Sequence, residues 1–160
     1  MHCKSFVYLK NQIKIMRNNL LFVFIFFAVS GAIAQSKEAA VFSTKAGAIK
    51  GYDPVAYFTQ SKPDEGQDGI THSRNGATWH FGTTQNQDLF AKNPKKYARQ
   101  YGGYSAYGLS QGYAVKIEPE VWSVVDGKLY LNYDMDIRNK WEKKRAEYIR
   151  LSDGNWGKQK

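Results

Sequence analysis

The sequence predicts a single small α+β domain, built of antiparallel hairpins, short helices and a C-terminal helix. Three observations predict it. Asn75-Gly76 separates two strand-like runs, and Asp126-Gly127 separates two more; both dipeptides suit the two-residue turns that join antiparallel strands. From Asp134 or Asp136 onward, Ile137, Trp141, Tyr148 and Leu151 recur near helical spacing, which predicts one long helix to about Leu151.

The elements follow in order. Residues 1–34 carry Lys4, Lys10, Lys14 and Arg17 without an acidic residue, then an apolar run from Leu20 to Val29, then Ala32 and Ala34 before Gln35. A basic start, a short apolar core and an A-x-A end describe a secretory signal peptide, with Met1 or Met16 as its start. The alternative is an uncleaved N-terminal anchor, but the apolar run falls short of the about 20 residues that a span needs. Residues 35–47 are small and polar and read as a flexible lead-in, and the domain covers 48–156 with a tail at 157–160. Asp53-Pro54 places a cap before a proline suited to a first helical turn, which predicts a short helix over Val55 to Thr59. Residues 60–69 read as a surface loop. In the first hairpin a two-residue turn pairs Arg74 with Ala77, His72 with Trp79 and Ile70 with Phe81; these last four share a core face, and His80 lies on the other side opposite Thr71. Thr84 caps a helix to Ala91, and Asn93-Pro94 restarts a helical turn ending near Arg99. Residues 101–112 read as an aromatic loop punctuated by glycine. Ala114–Ile117, Val121–Val125 and Lys128–Tyr133 read as strands, and Gly154–Lys160 as a tail whose Trp156 folds back on the core.

Composition narrows the function classes. The 160 residues carry a net charge of +9. The four basic residues of the leader account for much of that excess, so the remainder does not call for nucleic acid. Cys3 is the only cysteine. Beyond the leader there is then no disulfide, no thiolate nucleophile and no thiolate metal ligand, and the absence of a cysteine after Ala34 removes the attachment point of a lipid anchor. Packing must hold the domain together, and Trp79, Trp122, Trp141 and Trp156 supply bulk for it.

Several ordered segments carry a family resemblance. They are Gly51-Tyr52-Asp53-Pro54-Val55-Ala56-Tyr57-Phe58, Gly76-Ala77-Thr78-Trp79-His80-Phe81, Phe90-Ala91-Lys92-Asn93-Pro94-Lys95-Lys96-Tyr97, Tyr101-Gly102-Gly103-Tyr104-Ser105-Ala106-Tyr107-Gly108 and Asp126-Gly127-Lys128-Leu129-Tyr130-Leu131-Asn132-Tyr133. Together they resemble the exported bacterial YHS-domain proteins over residues 48–156, as a cysteine-free variant. Shorter members of the wider family, attached to metal-transport proteins, are thought to bind metal through cysteines. The corresponding positions here are Ala56, Gly82, Asn86 and Ser105. Serine hydroxyls and asparagine amides are poor substitutes for thiolate in a soft-metal site.

Each candidate site residue has a structural alternative. His72 and His80 are the two imidazoles outside the leader and the candidate metal ligands, but the hairpin register sets them on opposite faces. Tyr101, Tyr104 and Tyr107 around Ser105 offer flat faces with polar tips beside glycines that let a ligand approach; the same features also build a tight turn that plugs the core. Ser105 lacks a G-x-S-x-G elbow, so hydrolysis is disfavoured. Asp53 reads as a helix cap before it reads as a base. Lys140, Lys143 and Arg150, interrupted by Glu142 and Glu147, read as a solvated helix face. The expectation is a periplasmic or secreted, non-enzymatic binding module. It would hold a small molecule or a metal ion near Tyr52, Asp53, His80, Tyr101, Tyr104, Ser105 and Tyr107. The alternative is an envelope protein–protein interaction module without a small ligand. Neither reading calls for nucleic acid or for a stable membrane span after signal cleavage.

Overall fold

Two hairpins frame the molecule in the computed structural model, which describes residues 41–158. The expected signal segment 1–34 and the first part of the expected lead-in lie outside those residues. The described chain contains three antiparallel two-stranded sheets: β1 (Ser43–Thr44) with β2 (Gly47–Ala48), β3 (Gln67–Arg74) with β4 (Ala77–Phe81), and β5 (Glu118–Val125) with β6 (Lys128–Asn132). Six helices accompany them: α1 (Ala56–Thr59), α2 (Thr84–Lys92), α3 (Pro94–Tyr97), α4 (Ala106–Ser110), α5 (Met135–Lys143) and α6 (Arg145–Lys158). The class is α+β, as the hairpin turns and the C-terminal periodicity indicate.

Both turns sit where the sequence places them. Asn75 and Asp126 adopt φ of 53° and 50°, each followed by a glycine at positive φ, and the strands twist away from there. In the first hairpin Arg74 pairs with Ala77, His72 with Trp79 and Thr71 with His80. The expected Ile70–Phe81 pair does not form. A bulge intervenes, and Gln67 faces Phe81 instead. The Gln67 amide donates to the Gly82 carbonyl at 2.7 Å, fixing the shifted register. Residues 67–69 therefore belong to the strand rather than to the preceding loop. The second hairpin has the same device: Trp122 pairs with Leu131, and after a shift Glu118 faces Asn132. Residues 114–117 are not a strand; the strand starts at Glu118.

Burial divides into two clusters. The first gathers Val55, Tyr57, Trp79, Phe81, Phe90, Ile117, Leu129 and Leu131 under the β3–β4 hairpin. The second gathers Tyr101, Ala106, Leu109, Tyr130 and Trp141. Strand β6 is the partition between them. Side chains alternate along a strand, so Leu129 and Leu131 face one cluster while Tyr130 faces the other. Each fully buried aromatic or aliphatic side chain contributes about 1.5–3 kcal/mol.

The C-terminal stretch is two helices rather than one. Asp134 caps α5 by accepting from the Ile137 N–H at 2.8 Å. Lys144, at φ −136° and ψ 38°, leaves the helical region and ends it. Helix α6 then runs on to Lys158, so Gly154–Lys158 is helix and not tail; Trp156 packs against the second cluster. The segment 101–112 is likewise ordered into a 3-10 turn over Gln100–Gly103 followed by α4. The cap of α2 is Thr83, one residue before the expected Thr84. Residues 41–47 are tied down, because the Phe42 N–H donates to the Gly102 carbonyl at 2.8 Å and its ring lies 5.4 Å from that of Tyr104. None of the described helices is long and apolar enough to cross a membrane.

Candidate functional site

A cleft of about 360 Å³ opens at the seam between the two clusters. Trp79 and Phe90 line it from the first cluster, and Tyr101 and Trp156 from the second. Arg74, Arg99 and Asp153 are the charged residues in its lining. Arg99 is the unusual one. It follows α3, where it bridges in parallel to Leu129 of β6, and only 5% of it remains exposed. Its guanidinium carbon sits 4.3 Å from the centre of the Trp79 ring, a cation–π arrangement. Nη2 donates to the Phe42 carbonyl at 2.9 Å, while Nε and Nη1 have no hydrogen-bond partner. Among the described residues no carboxylate lies within ion-pairing distance of it. Burial lowers its pKa from 12.5 to about 9, so it keeps its proton at neutral pH. A buried cation without a counter-ion costs several kcal/mol, which the ring face offsets only in part.

Local sequence explains how the guanidinium fits. Tyr101, Gly102 and Gly103 all take positive φ. At Gly103 (φ 89°) a β-carbon would overlap Arg99 Nε, so the second glycine of the Gly-Gly pair makes the space the side chain occupies. Tyr101 accepts a strained conformation to bring its ring into the wall, and its hydroxyl donates to Asp153 at 3.0 Å, with the Ile149 carbonyl 3.3 Å away. Burial, reinforced by Asp153, holds the Tyr101 phenol well above its ordinary pKa.

The residues singled out from sequence do not share one cavity. Tyr101 lines the cleft. Ser105 and Tyr107 line a separate groove of about 330 Å³ with Tyr113, Tyr133 and Ile137. Ser105 is 1% exposed and caps α4, accepting from the Gly108 N–H at 3.2 Å. Tyr107 stacks edge-on against Tyr148, with the Lys140 ammonium 5.2 Å from its ring centre. Tyr104 packs on Phe42. Tyr52 donates to Glu120 at 2.5 Å, with Glu65 3.4 Å away, and its bond to Glu120 holds its phenol well above the ordinary value.

Asp53 is fully buried and occupied by structural donors: the Val55 N–H at 2.8 Å, the Gly82 N–H at 2.9 Å and the Asn86 amide at 2.6 Å. It turns the chain into α1 from three residues before the first helical residue, Ala56, and it ties that turn to the end of β4 and to α2. Gly82 and Asn86, two of the four positions weighed as cysteine replacements in the sequence, thus meet around one carboxylate. His72 stacks edge-on against Phe90, and His80 sits on the opposite strand face, closely covered by Gly47, with Nδ1 3.9 Å from Asp68. Among the described residues no group of three or more histidine, cysteine or carboxylate side chains is placed to hold a metal ion.

Sequence reading missed Arg99, because in Lys95-Lys96-Tyr97-Ala98-Arg99 it looks like one more solvated cation. The signal that would have found it is the adjacent Gly102-Gly103, which leaves room for a neighbouring side chain. No protein-family profile matches the chain, and neither a curated protein nor a solved structure matches it significantly.

Proposed function

We propose that the chain is an exported binding module of YHS type that performs no chemistry of its own and holds a small molecule in the cleft between Trp79 and Trp156. The observation that carries this reading is Arg99, a buried cation with unpartnered donors in an aromatic-lined cleft. Such convergence of apolar walls on a few polar groups is typical of small-molecule sites. The family and the export rest on the ordered sequence motifs and on the leader. A metal reading has no donor cluster among the described residues behind it.

The test is native mass spectrometry of the processed protein purified from the cell envelope, with a thermal-shift screen of aromatic and aliphatic small molecules. Expected is a non-covalent adduct or a hit that raises the melting temperature, with the gain reduced in Trp156→Ala. A hit whose effect is the same in Trp156→Ala would place the ligand elsewhere.

A second reading has its own observation. Tyr113 (70% exposed) and Tyr133 (39%) line the groove beside Ser105 and Tyr107, and Met135 (48%) follows Tyr133 by two residues, which gives exposed apolar surface suited to a protein partner. A partner captured from the envelope, and lost in a Tyr113→Ser, Met135→Ser double variant, would favour it.

A further inference from the structure

We infer that the cleft selects a monocarboxylate with a flat apolar body; this rests on the binding reading given above and specifies its ligand. Charge comes first. The cleft is lined by two cations, Arg74 and Arg99, and one carboxylate, Asp153, and neither arginine is ion-paired among the described residues. Two cations against one carboxylate leave the cleft one positive charge in excess, and the Asp153 carboxylate is already engaged by the Tyr101 hydroxyl. A single negative charge neutralises that excess. A dianion would bring a second charge out of water with nothing to balance it.

Donor placement comes second. Arg99 Nε and Nη1 are the unpartnered buried donors of this region. A carboxylate in the cleft lies against the charge of the Arg99 guanidinium and neutralises it, whereas a neutral amide leaves the cation unneutralised. Two of the walls have their donors committed: the Trp79 indole N–H is given to the Arg74 carbonyl at 3.2 Å, and the Tyr101 hydroxyl to Asp153. Trp79 and Tyr101 therefore present ring surface, which suits a flat apolar body carrying its polarity at one end. The volume, about 360 Å³, lies at the small end of the range of about 300–1,000 Å³ that small-molecule sites occupy.

The test is isothermal titration of the intact processed protein with three matched probes: 2-naphthoate, 2-naphthamide and 2-naphthyl phosphate. Expected is naphthoate binding at least ~tenfold more tightly than either of the others. Asp153→Asn removes the negative charge of the lining at an exposed position and is expected to tighten naphthoate binding several-fold; weakening would overturn the charge argument. Arg99→Gln, checked for retained fold by circular dichroism, is expected to erase the preference for carboxylate over amide. If that variant does not fold, the probe series on the unaltered protein and Asp153→Asn still decide. Naphthamide binding as well as naphthoate sinks the anion inference while leaving the small-molecule reading standing. Preference for the phosphate sinks the monocarboxylate assignment. No binding of any probe at millimolar concentration overturns both this inference and the reading under it.

Discussion

Asp53 and Arg99 are both buried charges, and they serve opposite ends. Asp53 accepts three hydrogen bonds from three separate segments and is fully satisfied as an anion by them. Arg99 is underprovided, with a ring face and one carbonyl against a guanidinium with two unpartnered nitrogens. Structural buried charges are normally paired, and the second kind is what the proposed ligand would complete. The contrast gives a test at Asp53. Asp53→Ala strands the Val55, Gly82 and Asn86 donors in the interior and is expected to destabilise the fold by about 2–5 kcal/mol, read as a lower urea midpoint. Little change in the midpoint would mean that this carboxylate is not the tie between α1, β4 and α2. The Asp-Pro pair advertises a turn, but the sequence cannot say that Gly82 and Asn86 close on it, because these contacts join positions far apart along the chain.

Among the elements, local rules worked where a turn or a cap is self-contained and failed where distant packing intervenes. Asn75-Gly76 and Asp126-Gly127 set the first pairs of each hairpin, and Asp134 capped α5. The bulges beyond those first pairs were not legible. They answer to contacts such as the Gln67 amide on Gly82 and the Tyr57 hydroxyl on the Pro119 carbonyl, at 3.0 Å. Nor was the break at Lys144 legible, since lysine is a good helix former. It redirects α6 so that Ser152, fully buried, donates to the Ala106 carbonyl at 2.8 Å and Asn155 donates to Leu109 at 2.8 Å. These bonds dock α6 on α4 and place Trp156 and Asp153 in the cleft wall. Ser152→Leu overpacks that contact and is expected to cost about 1–3 kcal/mol and to red-shift tryptophan emission as Trp156 loses its wall. An unchanged melting temperature and emission would show that α6 is held by other contacts.

At the scale of the whole molecule, the buried phenols predict an alkaline limit. Tyr57, Tyr101 and Tyr130 are held above their ordinary pKa of 10 chiefly by desolvation, and Tyr52 chiefly by its hydrogen bond to Glu120. Each keeps its proton longer in the folded chain than in the unfolded one. Their contribution is intact below pH 10 and is lost as pH rises toward the folded values. Arg99 acts in the opposite sense: folding lowers its pKa to about 9, so above that pH the folded chain sheds the cost of the buried charge while the unfolded chain keeps its proton. Four phenols outweigh one guanidinium. Stability is expected to hold or rise slightly up to about pH 10 and to fall beyond it. Urea midpoints measured from neutral to strongly alkaline pH check this, and Tyr101→Phe should flatten the fall. A midpoint that stays level through the alkaline range would contradict it.

The sequence by itself determined the class of the fold, the two hairpin turns, most of the short helices and the aromatic supply of the core. Each of these follows from periodicity or from a two-residue turn preference acting over a few neighbours. Only the tertiary structure decided the site. Strand β6 buries side chains on both faces, so it sets Trp79 and Phe90 on one side and Tyr101 and Trp156 on the other, with Arg99 at the seam. Nothing within a few residues of Arg99 shows that it lies on an indole ring and lacks a carboxylate. Burial and charge compensation depend on which distant groups arrive, and those are known only when the chain has closed on itself.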